Sequence, residues 1–172
     1  MPSTLAGLNA CDRPAFVAAL GHLFEHSPWV AEETFARRPF RDAAHLHAEL
    51  CATLARADPA RQLALIRAHP DLAGRLAQAG QLTADSSKEQ ASAGLDRLEA
   101  EELAEFQRLN AAYLARFGFP FVICARLNAK DAIVAAMRAR LHHSAQVEHQ
   151  TALAEIEKIA RLRLDAVLAH AA

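Results

Sequence analysis

One apolar stripe limits what this chain can fold into more than any other feature. Leu103, Phe106, Asn110, Tyr113, Leu114 and Phe117 recur at helical spacing, and the run stops at Gly118. That spacing lines one face of a helix, and glycine is a favoured residue just past a helix end. A helix with so long an apolar face has to bury it against other elements.

The same period returns along the chain. Phe16, Leu20, Leu23 and Phe24 follow Asp12 and Pro14, which suit an N-cap and a first-turn position. Ser27-Pro28 ends that helix, and Trp29 to Ala36 forms a second that stops before Arg38-Pro39. Asp42 opens a third, with Leu46, Leu50 and Leu54 on one face, and Asp58-Pro59 repeats the start signal. The helix it opens must end near Ala68, because the residue before Pro70 is steered out of the α region. His69 therefore sits at a helix end or corner. Asn128 is expected to cap a helix through Ile133, Val134, Met137 and Leu141, and a last helix carries Val147, Leu153, Ile156 and Leu164.

One stretch breaks the helical pattern. Phe119 to Cys124 reads Phe-Pro-Phe-Val-Ile-Cys, too short and too β-branched for a helix and interrupted by proline. It is expected to be a buried extended connector. The apolar residues, 52% of the chain, are carried largely by Ala and Leu, with only 6% aromatics and six glycines. This balance favours helices packed on helices. The expectation is an all-α fold: one compact domain over residues 1–172, of about eight helices, with the connector near 119–125.

The formal net charge of −1, with both signs interspersed, offers neither a nucleic-acid stripe nor a polybasic membrane patch. Cys11, Cys51 and Cys124 are odd in number and far apart, so neither a disulfide framework nor a zinc knuckle is expected, and a reducing cytoplasm suits them. No apolar run approaches the ~20 residues that span a bilayer, and no signal or targeting pattern is seen at either end. The expected partner is a small molecule.

Nine histidines raise the question of a metal. His22 and His26 stand at i,i+4, the spacing that puts two imidazoles on one helix face, with Glu25 between them. A metal-dependent helical hydrolase is therefore one alternative, although no third ligand is evident. A non-catalytic interaction module, docking through its long last helix, is another. His45/His47 and the adjacent His142 and His143 diverge on a helix and read as surface residues.

His69 differs because Pro70 fixes the backbone beside it, which can hold an imidazole at the mouth of a cavity. On its own this is equally a structural corner. Ser86-x-x-Glu89 likewise reads as a capping box, with Ser86 at the N-cap and Glu89 at N3.

These pieces belong to one series: His69-Pro70-Asp71-Leu72, Leu82-Thr83, Ser86-x-x-Glu89-Gln90-x-x-Ala93-Gly94-Leu95, Leu109-Asn110-x-x-Tyr113, Phe117 to Cys124, Arg140-Leu141 and Ile159-Ala160-x-x-Arg163-Leu164. Upstream, Glu25-His26-Ser27-Pro28-Trp29 and Arg38-Pro39-Phe40 extend it over almost the whole chain. The series resembles the 2-oxo-4-hydroxy-4-carboxy-5-ureidoimidazoline (OHCU) decarboxylase family. One departure is His143 before Ser144, where the family usually has Asn, a better cap.

The resemblance implies decarboxylation of a ureidoimidazoline to (S)-allantoin in uric acid breakdown. The substrate is a β-imino acid and so carries its own electron sink, which fits a chain without pyridoxal, thiamine or metal signature and implies no cofactor and no metal. It further implies His69 as general acid/base, with Glu89 and Gln90 orienting the imidazole and the substrate's amides. Ser86 and Pro70 then join the binding residues, with Phe121, Val122, Ile123, Cys124 and Ala125 as a wall and Arg163 as a hydrogen-bond donor. Arg163 also reads as an exposed helix residue. The resemblance also suggests a homodimer, and the compartment expected from the cysteines is the cytoplasm.

Overall fold

Helices cover most of the chain, and no strand occurs among the residues that the structure, a computed structural model, describes: 1–169, with the side chain of Leu76 left aside. Two units divide it, Met1–Ala68 with the stretch from Glu157 onward, and His69–Ile156.

The first unit opens with α1, Leu5–Ala10, capped by Thr4, which the sequence pattern did not announce. In α2, Arg13–Leu20, the Asp12 carboxylate accepts from Ala15 N, as expected of an N-cap. This helix ends at Leu20, so Leu23 and Phe24 are buried from the turns that follow it. His22 and His26 therefore lie in those turns and share no helix face, which removes the premise of a metal pair there. α3, Trp29–Thr34, runs into a 3-10 turn at Phe35–Arg37. Then come α4, Ala43–Arg56, capped by Asp42, and α5, Pro59–Ala68. Leu46, Leu50 and Leu54 are fully buried on one face of α4, and Phe16 packs edge-on to Phe35 and stacked on Phe40.

The second unit begins at His69. It holds α6, Arg75–Gln78; α7, Ala84–Ser92; α8, Ala100–Phe117; a 3-10 turn at Ala125–Leu127; α9, Lys130–Arg140; and the first half of α10, Ala145–Ala169. Gly118 closes α8 in the left-handed conformation at φ 74°, as the glycine at the end of the stripe suggested. The capping box of this unit belongs to Glu99 and Glu102 at the start of α8. Ser86 is not a cap: α7 starts earlier, and Thr83 takes that position, accepting from Ser86 N at 3.2 Å. Nor does Asn128 cap α9, whose N-cap is Ala129; its amide turns back to donate to Cys124 O at 2.9 Å. The expected connector is present, with Phe119 and Phe121 to Ala125 all buried, and Phe121 and Phe119 edge-on to Tyr113.

Candidate active site

His69 is the first residue after α5, because Pro70 forbids the helix to continue. Its ring is buried at 7% exposure, with Nε2 out of solvent. The chain then turns sharply through Asp71, Leu72, Ala73 and Gly74. Ala73 has φ +51°, a left-handed conformation that costs a residue with a side chain about 1–3 kcal/mol. At Gly74 a Cβ would come within 2.5 Å of Asp71 Cβ, so only glycine closes the turn without a shift.

Such a turn survives only where its surroundings over-determine it. Gln90 accepts from Ala73 N at 2.9 Å and donates to Asp71 O at 3.3 Å. Asn110 on α8 donates to Leu72 O at 2.8 Å. Two buried amides thus hold three consecutive residues of the corner that carries His69 and Pro70. Burial raises the Asp71 carboxyl above the usual range, with Arg75 partly offsetting it.

Ser86, Glu89 and Gln90 share one side of α7, being three and four residues apart. Ser86 and Gln90 are buried and Glu89 is half-buried. Gln90 therefore ties this helix to the His69 corner, and α7 also packs against the 3-10 turn Ala125–Leu127 that ends the connector. The second unit so holds His69, Pro70, Ser86, Glu89, Gln90 and the Phe121 to Ala125 stretch, with Gln90 bonded to the His69 corner and α7 packed against the turn that begins at Ala125.

Behind the connector lies a buried charge network. Arg140 donates to Val122 O at 2.9 Å, stands over the Phe121 ring at 4.3 Å, and pairs with Glu148 at 2.9 Å. Glu148 is fully buried and also accepts from the Tyr113 hydroxyl, while His143 Nδ1 lies 2.8 Å from it. Burial alone would raise the Glu148 carboxyl; hydrogen bonds from Arg140 and Tyr113 outweigh it and hold the group below the usual range. His143, the departure from the family's Asn, thus has the Glu148 carboxylate as a hydrogen-bonding neighbour, and Ser144 Oγ accepts from Val147 N at the start of α10. Sequence reading missed Asn110, Glu148 and Glu155 as anchors, although a lone amide inside the apolar stripe of α8 was a signal for Asn110.

Arg163 lies in the other unit. It is buried, not exposed, and donates to Glu25 Oε2 at 3.0 Å and His22 O at 3.1 Å. Among the described residues no group of three or more His, Cys, Asp or Glu is placed to hold a metal ion.

The sequence model of the family described as OHCU decarboxylase matches residues 9–165. The chain belongs to the OHCU decarboxylase family. It is 45% identical over 161 residues to the 2-oxo-4-hydroxy-4-carboxy-5-ureidoimidazoline decarboxylase of Haloferax volcanii, covering 94% of each chain. It is 42% identical to the uric acid degradation bifunctional protein PucL of Bacillus subtilis, covering 94% of this chain and 32% of that one. Among solved structures, an (S)-allantoin synthase superposes with a TM-score of 0.75 at 29% identity, over 96% of this chain and 54% of that one. The OHCU decarboxylase match spans both units, so the His69 corner, the connector and the Arg163 stretch all fall inside the matched region.

Proposed function

We propose that this chain decarboxylates 2-oxo-4-hydroxy-4-carboxy-5-ureidoimidazoline to (S)-allantoin, a step of uric acid degradation, acting as one catalytic domain. Membership of the family supports the reaction. The observation that supports the site is the double clamp of Gln90 and Asn110 on the turn beside His69, where Ala73 is held at positive φ.

In this reading the bond from the ring carbon to the carboxylate breaks and carbon dioxide leaves. The electron pair moves toward the neighbouring imine carbon, and the imine nitrogen takes up a proton. The ring's hydroxyl then loses its proton while the ureido-bearing carbon gains one. His69 delivers that last proton, acting as the positioned general acid. Glu89 orients the imidazole, Ser86 and Pro70 contact the ring's polar edge, and Gln90, already spent on the corner, keeps one further donor and one further acceptor for substrate. The connector from Phe121 to Ala125 covers one face of the ring.

No helix among the described residues is long and apolar enough to cross a membrane. A cytoplasmic homodimer is the assembly we infer: the family resemblance supports the dimer, cysteines far apart in sequence at 11, 51 and 124 suit a reducing compartment, and sedimentation tests the dimer.

Product handedness tests the reaction. Protonation of a planar intermediate in solvent gives a racemate, whereas a face covered by the connector gives one enantiomer. Circular dichroism of freshly made product should show a signal with enzyme and none without. Racemic product formed at an accelerated rate would mean that protonation follows release, and would remove His69 as final donor.

A further inference from the structure

Among the described residues no strand is present to pair with the connector, so its buried N–H and C=O groups must find other partners. In an extended chain, residues two apart present these groups to the same side, and the residue between them presents its own to the other. Val122 and Cys124 are such a pair. Arg140 donates to Val122 O at 2.9 Å, and Glu155 Oε2 accepts from Cys124 N at 2.8 Å. Arg140 is itself held by Glu148. Glu148 and Glu155 stand seven residues apart, two turns along one face of α10.

We propose that Glu148 and Glu155 are positioning residues for the decarboxylation, fixing the register of the connector from behind so that the groups of Ile123 are left to face the substrate. This rests on the reading of the connector as the substrate wall. A fully buried carboxylate is a poor means to stability, since an ion pair replaced by well-packed apolar groups is often as stable or more so. What the network supplies that an apolar filler cannot is a fixed direction for two backbone groups. A slip of one residue would turn Val122 and Cys124 toward the ring and Ile123 away.

Glu155 is half-buried, so it can be changed with the network around Glu148 intact. Glu155→Ala should lower kcat/KM about tenfold or more, as expected for a misplaced binding surface, and should yield partly racemic product. Glu155→Gln, whose amide oxygen can still accept from Cys124 N, should restore both. Thermal melting checks that each variant is folded, and if the alanine variant is not, Glu155→Asp, with its shorter reach, takes its place. A folded variant lacking the acceptor with wild-type kcat/KM and optical purity overturns the proposal. His69→Asn in the same assay separates the two levels. If it is inactive while Glu155→Ala is silent, only the positioning role fails; if both are silent, the reading of the site fails with it.

Discussion

Asn110 reaches across 38 residues of sequence to donate its side-chain amide to the Leu72 carbonyl at 2.8 Å, fixing the centre of the His69 turn to the longest helix of the second unit. Gln90 holds the residues on either side of that carbonyl, so the turn has a support from α8 and another from α7.

Removing the α8 support should loosen the corner without unfolding the unit. Asn110→Leu leaves a buried carbonyl unsatisfied, which costs about 1–3 kcal/mol. The fall in kcat should exceed the change in KM, because His69 would be misplaced while the binding wall stays. Steady-state kinetics beside chemical denaturation check this, and an unchanged kcat would show that the corner holds without α8.

The Glu148 network predicts the shape of the acid limb. A carboxyl held below its usual range in the fold contributes stability that is fully present above the unfolded glutamate value, near 4.3, and is lost as pH falls through the folded value. Asp71 and Glu157, raised by burial, act in the opposite sense and stabilise the fold most when protonated. Glu148→Gln should therefore lose roughly 3–5 kcal/mol at pH 7, where it strands Arg140, and should flatten the loss of stability below pH 4. Denaturation midpoints from pH 3 to 7 test it, and an acid limb as steep as the wild type's would place the titration elsewhere.

Turnover should be unaffected by chelators. The substrate's imine accepts the electron pair released on decarboxylation, so no Lewis acid is required of the protein. Incubation with a strong chelator, then assay with and without added divalent metal, checks this. Loss of turnover that a metal restores would overturn it.

Much of this was legible where local chemistry decides the outcome. Asp42 and Asp12 as caps, Leu46, Leu50 and Leu54 as a buried face, Gly118 as a stop and the Phe119 to Cys124 connector all follow from spacing and backbone preference. Misreadings arose where two local solutions compete. Thr83 and Ser86 can each cap a helix, and the chain uses Thr83; Asn128 can cap forward or bond backward, and it bonds backward to Cys124. Leu23 and Phe24 continue a helical period yet are buried from turns, because burial requires only the right direction and not a helix. The Arg140, Glu148 and Tyr113 network, joining three helices, leaves no periodic trace. For the candidate site the resemblance implied His69, Glu89 and the wall, but the bonds that anchor the His69 turn and the connector are long-range contacts no local pattern carries.

The central claim is that His69 moves the proton that completes the reaction. Substituting His69→Asn keeps a polar side chain of smaller size at the corner and removes the imidazole. The single-turnover rate of decay for freshly generated substrate, measured against the spontaneous rate with a circular dichroism spectrum of the folded variant, should fall by roughly 10²-fold or more. A folded His69→Asn variant with near-wild-type turnover and optically pure product would contradict it.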